Sequence, residues 1–269
     1  MTRPSSVLFV GATGSVGRLA VAEALRQGYH VRALVRDASH AGLRDASHAG
    51  LRQGAELFEG DLTSVESLSR ALEGIDGIVF TMGSHVSAAT IEQVDYGAVR
   101  NALIALNGRK VRIALMTAIG ITNMDSSYNR RYQAHDWKRR SEWLVRTSGN
   151  EYTIVRPGWF DYGSPDERRL VFLQGDGRRT GSPSDGAVSR DQIARTLVDA
   201  LGCGDAVGKT LELVAERGEE QADLTPLFAA LERDTPGNLD GVRDEDNFPP
   251  SDQPQRVLTD LRRIRAMNA

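Results

Sequence analysis

The feature that most constrains the fold of this 269-residue chain is a glycine-rich segment near its start, GATGSVG at residues 11–17. It follows the apolar run at 7–10 and precedes a segment whose apolar residues recur at helical spacing. A strand, a G-x-x-G-x-x-G turn and a helix in this order are typical of a dinucleotide-binding unit. Gly11 permits a tight turn, Gly14 lets the backbone approach a pyrophosphate, and Gly17 lets the helix pack closely on the strand. The positive end of the helix would then bind the phosphates.

Strand-like and helix-like segments alternate through the first 160 residues. Apolar runs of the buried-strand type recur between amphipathic segments at 30–36, 55–61, 77–83, 111–120 and 152–158. This alternation predicts an α/β fold with a doubly wound parallel Rossmann sheet, because helices must connect parallel strands. We expect the strand order 3-2-1-4-5-6.

The end of the second predicted strand indicates which dinucleotide binds. An acidic residue about 20 positions after the glycine segment would bind the ribose 2′-hydroxyl of NAD. Arg36 stands there instead, 19 residues after Gly17. A guanidinium attracts a 2′-phosphate and binds it through two N–H groups, with Arg18 in a position to assist. The sequence therefore predicts NADP(H) in preference to NAD(H). Asp37 competes, and a solvated strand-end charge is the alternative reading of Arg36.

Polar residues also follow the third, fourth and fifth predicted strands. Asp61 either binds the adenine amine or caps the next helix. The segment 81–83 is expected beside the cofactor ribose, and Thr117 lies where ligands meet the carboxyl ends of strands.

Five segments occur in an order that resembles the atypical short-chain dehydrogenase/reductase superfamily: GATGSVGR, VRALVRD, EGDL, the helix that contains Lys138, and YTIVRPG. The chain is most similar there to the NmrA-like NAD(P)H-binding group, which includes flavin and quinone reductases and non-catalytic redox sensors. The resemblance covers residues 6–215. Together with the motifs above, the resemblance implies cofactor contacts at Gly11, Thr13, Gly14, Ser15, Val16, Gly17, Arg36, Asp61, Leu62, Thr81, Met82, Gly83, Thr117, Lys138, Pro157, Gly158, Trp159 and Phe160.

The catalytic pair of the superfamily is incomplete in this sequence. The resemblance implies a Tyr-x-x-x-Lys pair, and aligning Lys138 as its lysine puts Ala134 at the tyrosine. Lys138 would still anchor the ribose, and Thr117 matches the usual serine. Tyr132 and His135 are the candidate replacement acids, since a histidine donates protons near neutral pH. The alternative for Tyr132 is a surface aromatic residue, and the alternative for His135 is a surface histidine. The alternative for Lys138 is a solvated charge on its helix.

Some hydride transfers need no acid from the protein, because solvent protonates the reduced flavin or quinone while the protein binds and orients the cofactor. Trp159 and Phe160 would form a wall against a flat acceptor, or else pack in the core. We therefore expect an NADP(H)-dependent oxidoreductase that passes hydride to a quinone, flavin or conjugated carbonyl. The alternative is a non-catalytic NADP(H)-binding redox sensor that acts through a protein partner. An epimerase or dehydratase is a third reading, and it also needs the missing acid.

We expect a single domain over 1–269, with an NADP-binding core at 1–156 and a smaller substrate-binding lobe at 157–269. Beyond Pro157, short strand and helix pieces alternate with Gly- and Pro-containing loops. The acidic, Pro- and Gly-rich arm at 234–254 predicts a solvated or partly mobile loop, and a closing amphipathic helix follows it.

Composition excludes several other classes of function. The net charge of −3 does not favour a nucleic-acid partner, and no apolar run approaches the about 20 residues that span a bilayer. A single cysteine, Cys203, permits no internal disulfide, and no cysteine–histidine cluster has metal-ligand spacing. The start lacks the apolar stretch of a secretory signal. We therefore expect a cytoplasmic protein with a small-molecule acceptor, no membrane partner, and a homodimer as a possible assembly.

Overall fold

The computed structural model describes residues 3–38 and 54–268. Within them, ten strands form one sheet. The strands are β1 Ser6–Val10, β2 His30–Val35, β3 Glu56–Glu59, β4 Gly77–Phe80, β5 Arg112–Met116, β6 Glu151–Pro157, β7 Trp159–Phe160, β8 Arg169–Leu173, β9 Ala187–Val188 and β10 Lys209–Glu216. They lie in the order β3-β2-β1-β4-β5-β6-β10-β9-β7, and β8 pairs with β10. The predicted order of the first six strands is confirmed.

Helices cover both faces of this sheet. They are α1 Gly17–Arg26, α2 Val65–Ala71, α3 Ala88–Ile91, α4 Gly97–Leu106, α5 Ser127–Tyr132, α6 Ala134–Thr147, α7 Arg190–Gly202, α8 Thr225–Ala229 and α9 Gln255–Ala266. A π-helical turn, Glu92–Tyr96, joins α3 to α4.

Alternate residues of the central strands face opposite layers, as the period of a strand requires. In β1, Leu8 and Val10 pack with residues of α2, α4, α6 and α9. Val7 and Phe9 point the other way and pack with α1, α7 and α8. All four side chains are fully buried, which explains why β1 is apolar throughout.

The second half of the chain contributes to the same sheet. β10 pairs in parallel with β6 and extends the sheet beyond the six predicted strands. α7 packs in the same layer as α1, and α9 packs in the layer of α6. A substrate-binding role for residues 157–269 stays a prediction.

The acidic arm at 234–254 is not a solvated loop, which corrects the sequence interpretation. Its Asp240 pairs with Arg139 at 2.7 Å, and its Asp244 pairs with Arg156 at 2.7 Å. Both arginine side chains are fully buried. Buried guanidinium groups need nearby counter-charges, so the carboxylates of the arm fold back onto the arginines of α6 and β6.

Two further sequence observations have only partial structural counterparts. The octapeptide RDASHAGL occurs twice in tandem, at 36–43 and 44–51, and lies outside the described residues beyond position 38. No helix in the described part of the chain is both long enough and apolar enough to cross a membrane. The cytoplasmic location stays a prediction.

Candidate functional site

The predicted cofactor residues gather at one edge of the sheet. β1 to β6 run in parallel, so their carboxyl ends meet at that edge. The residues that follow these strands in turn are the glycine turn, Arg36, Asp61, the segment 81–83, Thr117 and Gly158. In open α/β sheets, ligands bind in the crevice outside this edge.

The glycine turn after β1 has the geometry that its sequence predicts. Gly11 has a φ of 95°, and a Cβ built on it would lie 2.6 Å from the backbone nitrogen of Met82. A Cβ on Gly17 would lie 2.0 Å from the carbonyl oxygen of Gly11. Thr81 also contacts this turn, because its Oγ1 donates a hydrogen bond to the Gly11 carbonyl oxygen at 3.3 Å. The turn therefore packs against the end of β4 with no room for side chains at positions 11 and 17.

The start of α1 is available to an anion. The N-cap residue is Val16, whose apolar side chain cannot cap the helix, and the first turn of α1 contains no acidic residue. Thr13, Gly14 and Ser15 before it are exposed. Backbone N–H groups at a helix start lack partners within the helix and lie at its positive end. This part of the turn is thus suited to phosphate groups.

A cleft lies between the carboxyl ends of β2 and β3. Its volume is about 560 Å³, and both Arg36 and Arg70 line it. Arg36 is exposed, as a residue that receives a ligand must be. Arg70 lies in the last turn of α2 and was not predicted, because the helical pattern of α2 does not show which exposed charge faces the cleft. Two guanidinium groups therefore flank one cleft beside the predicted 2′-phosphate position.

Asp61 braces the turn that leads into α2. Its Oδ1 accepts the backbone N–H of Thr63 at 2.8 Å, and its Oδ2 accepts the Thr63 hydroxyl at 2.7 Å. These hydrogen bonds hold the pKa of Asp61 below its ordinary value. Ser64 is the residue that caps α2, by accepting the N–H of Ser67 at 3.2 Å. Asp61 therefore does not cap α2, which corrects that alternative. Its contact with adenine, like that of the half-buried Leu62, stays a prediction.

Lys138 lies inside the site and is not a solvated helix charge, which corrects that alternative. Its ammonium pairs with Asp95, whose side chain is 1% exposed. The second oxygen of Asp95 accepts the backbone N–H of Ser84 at 3.0 Å. A Cβ built on Gly83 would lie 3.6 Å from Nζ of Lys138. The lysine is thus held at the end of β4, where the ribose was predicted. Asp95 was missed because the π-helical turn that orients it has no sequence signature.

Two positions of the superfamily's catalytic set are buried. Ala134 is fully buried, so its position faces the core. Thr117 is 4% exposed, and its hydroxyl donates to Oε1 of Glu142 at 2.7 Å. The Thr117 hydroxyl is therefore already bonded to a buried carboxylate, and its predicted contact with a ligand is untested.

The predicted replacement acids differ in their surroundings. Tyr132 is half-buried and packs on the core, with the guanidinium of Arg131 5.0 Å from the centre of its ring. His135 is half-buried and is not a solvated surface histidine, which corrects that alternative. Burial lowers the pKa of its ring. Its Nδ1 is buried and has no hydrogen-bond partner among the described residues.

Tyr128 is a further candidate that the sequence analysis missed. Its hydroxyl lies 2.8 Å from Nδ1 of the exposed His85. Its ring contacts Tyr132 at 5.5 Å and the edge of His135 at 5.8 Å, measured between ring centres. Burial, and then the charge of Asp95, raise the pKa of Tyr128. The hydroxyl therefore keeps its proton at neutral pH and is linked to solvent through a histidine. No spacing rule identifies it, because it lies ten positions before Lys138 and in a different helix.

The segment after β6 combines buried and accessible residues. Pro157 and Gly158 are buried, and the N–H of Gly158 donates to the Leu213 carbonyl at 2.8 Å. Trp159 and Phe160 are half-buried in β7. Phe160 packs partly against the core, so the alternative of core packing holds for part of its surface. A role for either ring as an acceptor wall stays a prediction.

Comparisons with known proteins give the relationships of the chain. The model of a family described as NAD(P)H-binding matches residues 11–203. A solved structure from Bacillus halodurans, described as an NAD-dependent epimerase/dehydratase, has a TM-score of 0.67 at 20% identity. That match covers 84% of this chain and all of the other, and at this identity it shows the fold alone.

Curated relatives match most of this chain as well. Photosystem II assembly factor Ycf39 of Cyanophora paradoxa is 32% identical, over 84% of this chain and 68% of Ycf39. The chloroplastic protein TIC 62 of Arabidopsis thaliana is 30% identical, over 84% of this chain but 38% of TIC 62. Sanguinarine reductase of Eschscholzia californica is 25% identical, over 84% of this chain and 96% of that protein. The chain thus spans less than half the length of TIC 62.

Proposed function

The chain belongs to the NAD(P)H-binding family of atypical short-chain dehydrogenases/reductases, and from this premise we propose that it is an NADP(H)-dependent oxidoreductase. It passes hydride to a small flat acceptor: a quinone, a flavin or a conjugated carbonyl. The observation that carries the proposal is the Lys138–Asp95 pair at Gly83, beside the glycine turn. A buried pair is costly to form, and here it holds the one cation of the family's catalytic pair at the predicted ribose.

The proposed preference for NADP(H) rests on charge. Arg36 and Arg70 line the same cleft at the end of β2 and β3. Either guanidinium attracts a 2′-phosphate, and a planar fork binds two of its oxygens at once. Glu59 and Asp61 also line this cleft, so the preference depends on the arginines outweighing two carboxylates. Arg36 directly follows β2 and is the residue that we expect to decide the preference.

Bound NADPH supplies a hydride to the acceptor. The chain's own residues bind and orient the reactants: the glycine turn holds the phosphates, and Lys138 holds the ribose hydroxyls. Tyr128 donates a proton to an acceptor that needs one, and His85 returns a proton to Tyr128 from solvent, because the two side chains lie 2.8 Å apart. The overall balance is one hydride and one proton added to the acceptor. Tyr128 replaces Tyr132 and His135 as the preferred acid because only its hydroxyl has this link.

Steady-state oxidation of NADPH with a panel of quinones, free flavins and conjugated carbonyls tests the proposal. We expect turnover with at least one acceptor and loss of turnover in Lys138→Met. Lys110→Met is a matched control, since Lys110 pairs with Asn268 and the Ser148 carbonyl, away from the site. Failure of every acceptor with a protein that binds NADPH would refute the enzymatic function.

A non-catalytic NADP(H)-binding regulator is the second candidate. The core position of Ala134 favours it, because the usual acid of the superfamily is absent. The similarity to Ycf39, which is described as an assembly factor, also favours it. Tight binding of NADPH without turnover would support this alternative. A homodimer and a cytoplasmic location remain part of the proposal.

A further inference from the structure

Arg190 connects two loops that flank the candidate cofactor site. It is the first residue of α7, and its Nε donates to Oγ of Ser15 in the glycine turn at 3.1 Å. Its Nη1 pairs with Asp161, and its guanidinium lies 5.3 Å from the centre of the Phe160 ring. One side chain therefore joins the predicted phosphate turn to the segment after β6.

The charge of Arg190 lies where an anion is expected. Ser15 immediately precedes the N-cap of α1, whose first turn contains no acidic residue. The guanidinium and the helix start therefore present positive charge to the same place. This place differs from the cleft of Arg36, which lies at the end of β2 and β3.

The present partner of Arg190 is easily exchanged. The side chains of Arg190 and Asp161 are 34% and 46% exposed, so solvent screens their attraction. Asp161 has a φ of 60°, in the left-handed region that favours glycine and that asparagine and aspartate adopt more readily than most other residues. Its Oδ1 also accepts the backbone N–H of Arg190 at 3.0 Å. The carboxylate thus stands close to the place where phosphate charge would arrive.

We propose that Arg190 is a clasp for the pyrophosphate of the bound dinucleotide, and that Asp161 holds it until the phosphates replace the carboxylate. The proposal rests on the proposed binding of NADP(H). A guanidinium group binds phosphate oxygens through two parallel hydrogen bonds. This contact is at least as strong as the solvent-exposed ion pair of Arg190 with the single carboxylate of Asp161. The clasp would also hold the segment of Phe160 against the glycine turn when the cofactor is bound.

The two members of the pair should act in opposite directions. Arg190→Gln removes the phosphate contact and should weaken NADPH binding about 10- to 100-fold, which is the usual loss for charged hydrogen bonds. Asp161→Asn removes the competing charge and should strengthen NADPH binding. Asparagine tolerates the left-handed backbone, and its Oδ1 can still accept the N–H of Arg190. A purely structural pair would instead weaken binding in both variants.

The experiment is a titration of each variant with NADPH and with 2′-AMP, which carries the 2′-phosphate but no pyrophosphate. Arg190→Gln should lose affinity for NADPH and keep that for 2′-AMP, and Arg190→Lys should recover part of the NADPH affinity. Arg26→Gln is the control for net charge, because Arg26 lies in the last turn of α1, at the end of the helix opposite the turn.

Retained NADPH affinity in Arg190→Gln, or weakened affinity in Asp161→Asn, would overturn the clasp. If the wild type binds neither NADPH nor NADH, the proposed function fails and the clasp with it. If the wild type binds NADPH, the proposed cofactor binding stands, and the results with the variants then test the clasp alone.

Discussion

Glu142→Gln should cause a large loss of stability. Glu142 lies in α6 with a fully buried side chain, and its two oxygens accept from Arg156 at 2.7 and 3.0 Å. Arg146 donates to it at 3.2 Å and the Thr117 hydroxyl at 2.7 Å. The substitution keeps the shape but removes the charge that compensates two buried guanidinium groups.

The magnitude follows from these contacts. Removing one partner of a buried ion pair costs about 3–5 kcal/mol, because the other charge stays buried. Asp244 still pairs with Arg156, and glutamine still accepts one hydrogen bond, so we expect the lower end, about 3 kcal/mol. For a chain of this size, such a loss lowers Tm by roughly 6–12 °C.

The effect should also depend on pH. Burial alone would raise the pKa of Glu142, but the charges of Arg156 and Arg146 outweigh it and lower the pKa below its ordinary value. A carboxyl group with a lowered folded-state pKa contributes its stability above the unfolded-state pKa of about 4.5. This contribution disappears as the pH falls through the folded-state pKa. The difference between wild type and Glu142→Gln should therefore be full at pH 7 and shrink in acid.

Chemical denaturation at pH 7 and at lower pH measures this difference. Glu232→Gln is the matched control, because Glu232 pairs with Arg243 with both side chains more than half exposed. An exposed pair contributes about 0–1 kcal/mol. A loss in Glu142→Gln no larger than that in Glu232→Gln would refute the reasoning that this buried network stabilises the fold.

Three further predictions follow from single contacts. Gly17→Ala should abolish measurable NADPH binding in a direct titration, because the added Cβ would collide with the Gly11 carbonyl oxygen. Gly177→Ala is the control and should bind NADPH normally, because nothing lies within 4 Å of a Cβ at that position. Tyr128→Phe should lower kcat about 100-fold or more with an acceptor that needs a proton. Retained turnover in this variant, or an equal loss in Tyr132→Phe, would exclude Tyr128 as the acid. Burial raises the pKa of Glu212 to about 8, so its ionisation destabilises the fold as the pH rises from about 4.5 to 8. Denaturation should therefore show Glu212→Gln gaining stability relative to wild type from pH 5 to pH 9, and a constant difference would contradict this.

The parts of the fold that the sequence predicts are those with local causes. The glycine turn is fixed by contacts within one loop and with the end of β4, as the close approach of Gly11 to Met82 shows. The strand order follows because strands that alternate with helices along the chain form a doubly wound parallel sheet. β10 pairs with β6 in the main sheet, although it belongs to the segment that the sequence assigns to the smaller lobe, where Gly- and Pro-containing loops interrupt the pattern.

The parts that could not be predicted depend on contacts between distant segments. The pair of Arg139 with Asp240 joins residues 101 positions apart, and no periodicity relates them. Composition alone therefore made the arm appear solvated. Asp95 and Tyr128 enter the site through a π-helical turn and a short helix. Their orientation depends on tertiary packing, which a single sequence does not encode in any local pattern.

The most direct test of the central claim is a titration of NADPH and of NADH, followed by nicotinamide fluorescence, on the wild type and on Arg36→Ala. Loss of a charged phosphate contact should weaken NADPH by about 1.5–3 kcal/mol, or about one to two decades, and leave NADH nearly unchanged. Equal affinity of the wild type for both nucleotides would contradict the preference for NADP(H). Absence of binding by either nucleotide would contradict the assignment of this edge of the sheet as a cofactor site.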